Sequence, residues 1–284
     1  MQLHSRIIPA ILILLSISGG THSQELSDVF PAVVFLQGNK IRHEKLDGKD
    51  VEIWVKDPTK VSPEPLKVPS SGSGFIVLHD SRLFLVTAQH VVADIPLDPM
   101  ATLRGPNDDP LTFALSEIAA EKPIRWTHHT EADVAVLPLT PPKAFRAVIK
   151  AVTFEQLATQ DTAPGMDLFL TTVGFPLQLG VTGKFSPIVK VSHPASAFFR
   201  YPRFDNKRET TFFILADPSV AGFSGAPVFK LPSVHVGVIA SSQGVFECVG
   251  MVHGTLNDPT GGKFAAIVPA RFVAETVSMA AKKD

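Results

Sequence analysis

Cysteine is almost missing from this chain: Cys248 is the single one among 284 residues. One thiol closes no internal disulfide, so the fold must rest on its core and not on cross-links. Between Phe246 and Val249, that thiol reads as a small buried hydrophobe. An excess of one charge is missing as well. Lys and Arg number 26, Asp and Glu 27, and the formal net charge is −1. No basic run appears, which removes the electrostatic footing for nucleic-acid binding. Helical patterning is scarce, and there is no internal repeat or low-complexity linker. Long apolar runs are absent except for Ile7 to Ile17, which is shorter than the roughly 20 residues that span a bilayer.

What is present starts with that run. Arg6 precedes it and the small or polar residues Ser18 to Ser23 follow, the layout of a signal peptide cleaved between Gly20 and Gln24. The expectation is a leader over residues 1–23 and a secreted or periplasmic mature chain with no membrane span after cleavage. No Cys follows the run, so no lipid attachment site is expected. Hydrophobic residues make up 45% and charged residues 19%, enough for a packed core. The 24 prolines and 19 glycines are spread along the chain, as many short strands joined by turns require.

Strands are predicted at Phe30 to Leu36, Gly74 to Leu78, Leu83 to Thr87, Asp133 to Leu137, Leu168 to Val173, Ile188 to Val191, Thr211 to Leu215, Val228-Phe229 and Val236 to Ala240. His79 to Arg82 separates two apolar runs in the manner of a hairpin. Residues 38–70 are polar and Lys/Pro-rich and read as a surface hairpin and loop, with one strand at Val51 to Val55. The tail from Pro269 is the best helix, with Phe272, Val273, Thr276, Val277 and Ala280 on one face. The class is all-β, a barrel or sandwich.

Three segments carry chemistry. In Ala221-Gly-Phe-Ser-Gly-Ala-Pro227, Ser224 stands between glycines that let the backbone turn tightly and approach a substrate. N–H groups around such a serine can converge on a developing oxyanion. In Val86-Thr-Ala-Gln-His90-Val-Val92, a histidine ends an apolar strand, and a serine hydroxyl needs such a base to become a nucleophile. In Glu131-Ala-Asp133-Val-Ala-Val-Leu137, an acid opens an apolar strand, where burial is costly unless something pairs with it. Orienting a histidine is one such use. Glu131 is the rival acid, one step further from the apolar run.

Together these segments resemble the trypsin-like serine peptidase family, closest in style to the bacterial HtrA/Deg branch. His90, Asp133 and Ser224 follow the family's chain order. Gly72-Ser-Gly-Phe75 resembles the glycine-rich start of the family's histidine hairpin, Val173-Gly-Phe-Pro176 its Gly-x-Pro turn, and Gly262 to Pro269 the strand before its final helix. The resemblance implies two antiparallel six-stranded β-barrels of the chymotrypsin type, about 28–145 and 146–268, and a short C-terminal helix over about 269–282. The peptidase domain then covers 24–284, without the PDZ module that branch usually carries.

By the same resemblance, His90 is general base and acid, Asp133 orients it, and Ser224 attacks the scissile carbonyl. The N–H groups of Gly222 and Ser224 form the oxyanion hole. His90 should then reach both Ser224 and Asp133. Asp217 and Pro218 lie near the base of the primary specificity pocket, where an inward Asp217 selects Lys or Arg and an outward one leaves an apolar pocket. Val238, Ala240 and Ser241 belong to the strand expected to pair with an extended substrate, and Ala240 or Ser241 takes the place of the serine that supports the family's acid. Phe223 departs from the family's Asp or Asn, which puts activation by a new N-terminal amine in doubt.

The implied function is an exported serine endopeptidase working through an acyl-enzyme, with a protein or peptide substrate and no metal or cofactor. The alternative is a non-catalytic module of the same fold that binds extended peptides or a partner protein. His128, His129, His193, His235 and His253 lack metal-ligand spacing. His128 and His129 read as solvated loop residues.

Overall fold

The structure is a computed structural model. It describes residues 32–57, 59–60, 62–146, 149–231 and 246–282. The expected leader and Val236 to Ala240 lie outside the described residues.

The first lobe is one large sheet. β1 (Val33–Ile41) leads into two small ribbons, β2 (His43–Leu46) with β3 (Lys49–Glu52) and β4 (Trp54–Val55) with β5 (Glu64–Pro65). These ribbons are largely exposed, as the polar composition of 38–70 suggests. Then come β6 (Lys67–His79), β7 (Arg82–Thr87), β8 (Leu97–Arg104), β9 (Pro110–Ala114), β10 (Thr127–His128), β11 (Ala135–Leu139) and β12 (Val152–Thr153). The sheet runs β10-β11-β7-β6-β1-β8-β9, with β12 pairing β6 in parallel. The predicted hairpin is there and tighter than expected. His79 pairs with Arg82, leaving Asp80 and Ser81 as a two-residue turn with φ of 47° and 62°, the positive pair of a type I′ connection.

The second lobe contains β13 (Leu170–Gly174), β14 (Ile188–Ser192), β15 (Phe199–Pro202), β16 (Glu209–Leu215), β17 (Pro227–Lys230), β18 (Glu247–Asn257) and β19 (Lys263–Pro269), in the order β14-β13-β17-β18-β19-β16-β15. The sheets hold eight and seven strands, and their paths are open among the described residues. The helix Ala270–Ala281 closes the chain and buries the whole predicted face from Phe272 to Ala280. Pro269 caps it instead of opening it.

The core is rich in aromatic residues. Phe35, Phe75, Phe84, Phe175, Phe212 and Phe229 are fully buried, each worth about 1.5–3 kcal/mol on transfer from water. One cluster joins residues of both sheets to Phe272, Val273 and Val277 of the last helix. Cys248 is buried and free, and burial pushes its thiol pKa up to about 12. It is the inert core residue that its apolar neighbours suggest.

Candidate active site

The acid comes first, because its loop has to be built. Asp133 does not open β11 but precedes it, since β11 starts at Ala135. The loop before it is held from inside by His129, whose Nδ1 accepts the N–H groups of Glu131 (3.1 Å) and Ala132 (2.8 Å). That leaves Nε2–H to donate to Glu275 of the C-terminal helix at 3.0 Å. His129 is buried, which corrects the solvated reading: two backbone donors need an internal acceptor, and the ring supplies it. His128 is exposed, as expected. Gln89 adds to the loop by donating Nε2–H to the carbonyl of His129 at 2.6 Å. Glu131 turns outward to Arg200 at 3.0 Å, which leaves Asp133 as the buried acid.

Asp133 is fully buried and accepts four hydrogen bonds. His90 gives two, backbone N–H to Oδ1 at 3.1 Å and ring Nδ1 to Oδ2 at 2.6 Å. His253 Nδ1 lies 2.6 Å from Oδ2, and Arg203 Nη2 donates to Oδ1 at 3.0 Å. These occupy the lone pairs a carboxylate offers. Burial pushes the Asp133 pKa up, but the hydrogen bonds and charges of His253 and His90 more than reverse this and hold it well below the usual carboxylate range. The group is ionised at neutral pH.

His90 sits in the short helix Gln89–Asp94, directly after β7. With Nδ1 turned to Asp133, Nε2 is the ring nitrogen that the acid does not engage. His253 is different. Its Nε2 accepts the N–H of Phe204 at 3.4 Å, so Nδ1–H is the donor to Asp133. It lies fully buried between the rings of Phe204 (centroids 4.2 Å) and Phe212 (5.0 Å). The local cause is a bulge. Val252 pairs with Ile267 and Gly254 with Ala266, so His253 is the extra residue in β18, and bulges re-aim side chains in this way. Sequence reasoning missed His253. Its signal is an imidazole directly after the apolar run Val249 to Val252, a polar group that needs a partner if buried.

Arg203 reaches the same acid from the second lobe. It is 2% exposed and makes a two-pronged contact with Asp205, Nε to Oδ1 at 2.9 Å and Nη2 to Oδ2 at 2.6 Å. It also donates to Gln89 Oε1 at 3.0 Å.

The Ser224 turn lies against this group. Gly222 and Gly225 have φ of 99° and 83°. A Cβ at Gly222 would fall 2.5 Å from the Phe175 carbonyl, and one at Gly225 would fall 2.1 Å from that of Ser73. Only glycine fits either place. Gly225 N–H donates to the Val252 carbonyl at 2.9 Å, and Ser224 Oγ donates to the His253 carbonyl at 3.2 Å. The turn is thus seated beside the bulge that carries His253. The Ala221 carbonyl accepts Leu177 N–H at 2.8 Å. In a trans peptide this points the Gly222 N–H the opposite way. Among the described residues, neither the Gly222 nor the Ser224 N–H has an acceptor. Phe223 is buried with Leu170, Phe213 and Leu215.

Of the residues expected near a specificity pocket, Asp217 lines a narrow cavity together with Lys190, Ser192 and Phe223. Its carboxylate accepts from Ser192 Oγ at 2.6 Å, and Lys190 Nζ donates to the Pro218 carbonyl. Burial lowers the Lys190 pKa, and the charge of Asp217 holds part of that back. Val238, Ala240 and Ser241 lie outside the described residues. Among the described residues β17 lies between β13 and β18, with Pro227 opposite Met251 and Lys230 opposite Glu247 on the β18 side.

His90, Asp133 and His253 also form the one cluster among the described residues whose three ligand atoms lie within 4.8 Å of one another. Both imidazole nitrogens stand 2.6 Å from the same oxygen. A tetrahedral ion with ~2.0 Å bonds spaces its ligands about 3.3 Å apart. The donor set therefore suits a hydrogen-bonded acid and not an ion.

Two lobes of antiparallel sheet, with a histidine and its acid on one and a serine turn on the other, define the fold of the trypsin-like serine proteases. No family model and no curated protein matches the chain. Solved structures do. A variant of the HtrA-type protease AlgW with a decapeptide superposes at a TM-score of 0.58 and 16% identity, over 91% of this chain and 66% of that one. AlgW with a decapeptide gives a TM-score of 0.52 at 16% identity, over 91% and 68%. At such identity the likeness is one of fold. The chain spans just under two thirds of the length of the first of these structures. Among the described residues, no helix is long and apolar enough to cross a membrane.

Proposed function

We propose that the chain is an exported serine endopeptidase that cleaves peptide bonds through an acyl-enzyme. The observation that carries this reading is the 2.6 Å contact of His90 Nδ1 with the buried, ionised Asp133. It fixes the tautomer in which Nε2 is free to take a proton. Ser224 Oγ is the nucleophile, and it must turn from the His253 carbonyl toward His90 as substrate binds. His90 takes the proton and returns it to the leaving amine, and the Gly222 and Ser224 N–H groups hold the oxyanion. Asp217 and Pro218 belong to the primary specificity pocket. Lys190 already meets the charge of Asp217, so the reading favours an uncharged side chain there over Lys or Arg. The role of Val238, Ala240 and Ser241 as the substrate-pairing strand stays part of the proposal, as do the leader over residues 1–23 and a peptide or protein as substrate.

One observation favours the second reading, a non-catalytic module that binds extended peptides: the Ser224 hydroxyl donates to a backbone carbonyl. A fluorophosphonate probe separates the two. Labelling of the folded wild type, and loss of labelling in Ser224→Ala and His90→Ala, supports the enzyme. Absence of labelling in folded wild type leaves the binding module. Digestion of casein and of a peptide library then reads the specificity, and N-terminal sequencing of exported protein reads the leader.

A further inference from the structure

Ser73 stands in β6, on the first lobe, and is fully buried. Its N–H and its hydroxyl are committed to the Ser224 turn and to the Phe175 backbone beside it. Its N–H donates to the Ser224 carbonyl at 2.8 Å. Its hydroxyl donates to the Gly222 carbonyl at 2.7 Å and accepts Phe175 N–H at 2.9 Å. Its own carbonyl accepts from Thr87 Oγ1 at 2.7 Å.

The turn has four peptide planes between Ala221 and Gly225, and each carbonyl is held. Leu177 holds that of Ala221, Ala226 that of Phe223, and Ser73 alone holds those of Gly222 and Ser224. The Gly222 N–H lies in the plane whose carbonyl Leu177 holds and the Ser224 N–H in the plane whose carbonyl Ala226 holds, and Ser73 fixes the next plane along from each, those of the Gly222 and Ser224 carbonyls. Without the hydroxyl, the Gly222 carbonyl and the Phe175 N–H lose their partner in a buried place. An unmet buried polar group drives the backbone to rotate toward another one. Phe223, apolar and buried, brings no charge that could fasten the turn instead.

We propose that Ser73 is a positioning residue, whose hydroxyl sets from the opposite lobe the shape of the oxyanion-holding turn. The proposal rests on the reading of Ser224 as an acylating nucleophile. The full chain and its variants are treated with a fluorophosphonate over a range of concentrations. Rate at saturation and half-saturating concentration are read separately, beside a thermal melt. Loss of an oxyanion donor costs about 10²–10³ in rate, and a donor that is displaced, not removed, costs less. Ser73→Ala is expected to slow the saturated rate by roughly 10–100-fold with a half-saturating concentration within about twofold of wild type. Thr276→Val, which deletes a buried hydroxyl bond to Phe272 in the last helix, lowers the melting temperature and keeps the rate. A folded Ser73→Ala that reacts at the wild-type rate overturns the proposal. If that variant gives no cooperative melt, Ser73→Cys keeps the volume, lacks the strong donor and is judged by the same outcomes. Failure of the wild type itself to react sinks the underlying reading instead.

Discussion

Asp133 gathers donors from three separate parts of the chain, and a single proton on it would disturb all of them. Its folded pKa lies below the ordinary aspartate value of 3.8. As the pH falls, the unfolded chain therefore takes up that proton first. The stability the carboxylate contributes is complete above the unfolded value and drains away as acid is added toward the folded one. Asp133→Asn cannot titrate. The wild type is therefore expected to melt well above Asp133→Asn at pH 6, with the gap narrowing steadily from about pH 5 to pH 2. Thermal melts across that range check it, and a gap that stays constant contradicts the assignment. The same variant leaves a neutral amide facing two imidazole donors. Fluorophosphonate labelling at neutral pH should drop by about 10⁴, the cost of holding a catalytic imidazole in the wrong tautomer.

At the scale of elements, the loop from His129 to Val134 and the bulge at His253 are what make the acid usable. His129 satisfies two backbone donors with one nitrogen. Each buried donor left alone costs about 1–3 kcal/mol, so His129→Ala, which strands two, is expected to lose about 2–6 kcal/mol in a denaturant titration, together with most labelling. Glu275→Gln, at a side chain 54% exposed, should lose under about 1 kcal/mol. Equal effects would show that the Glu275 hydrogen bond, and not the capping nitrogen, holds the loop. The sequence disclosed part of this. His90, Asp133 and Ser224 each lie at the edge of an apolar strand or sit between glycines, and each pattern is local. His253 has no such local sign, because what aims it is a mismatch between β18 and β19 that only their pairing creates. The partner of β17 is hidden for a similar reason. Two apolar runs follow Ser224, at Val236 to Ala240 and Val249 to Val252, and periodicity alone does not rank them. Among the described residues, it is the farther run that pairs with β17.

Across the whole molecule, the two lobes are fastened at the site as well as through the core. Arg203 belongs to the second lobe and meets Asp133 of the first, while Asp205 supplies its second anion. Breaking a buried ion network by removing one partner costs about 3–5 kcal/mol. Arg203→Ala is expected to lose that much, and added salt should change the loss little, because buried pairs are poorly screened. A loss that vanishes at about 1 M salt would show the pair to be a surface one. Two lobes and a terminal helix could be read from strand spacing and the family resemblance. The buried arginine could not, because the reason for its place is a charge 70 residues away.

The arginine also bears on how such proteins could be recombined. Each lobe carries part of a buried charge and hydrogen-bond network that is only complete when the other is present. A chimera that joined this first lobe to a second lobe with a neutral side chain at position 203 would inherit a buried carboxylate stripped of its Arg203 donor. One made the other way round would leave Arg203 with Asp205 alone. The halves of this chain are therefore matched parts, and exchange between relatives would have to carry positions 133 and 203 across together.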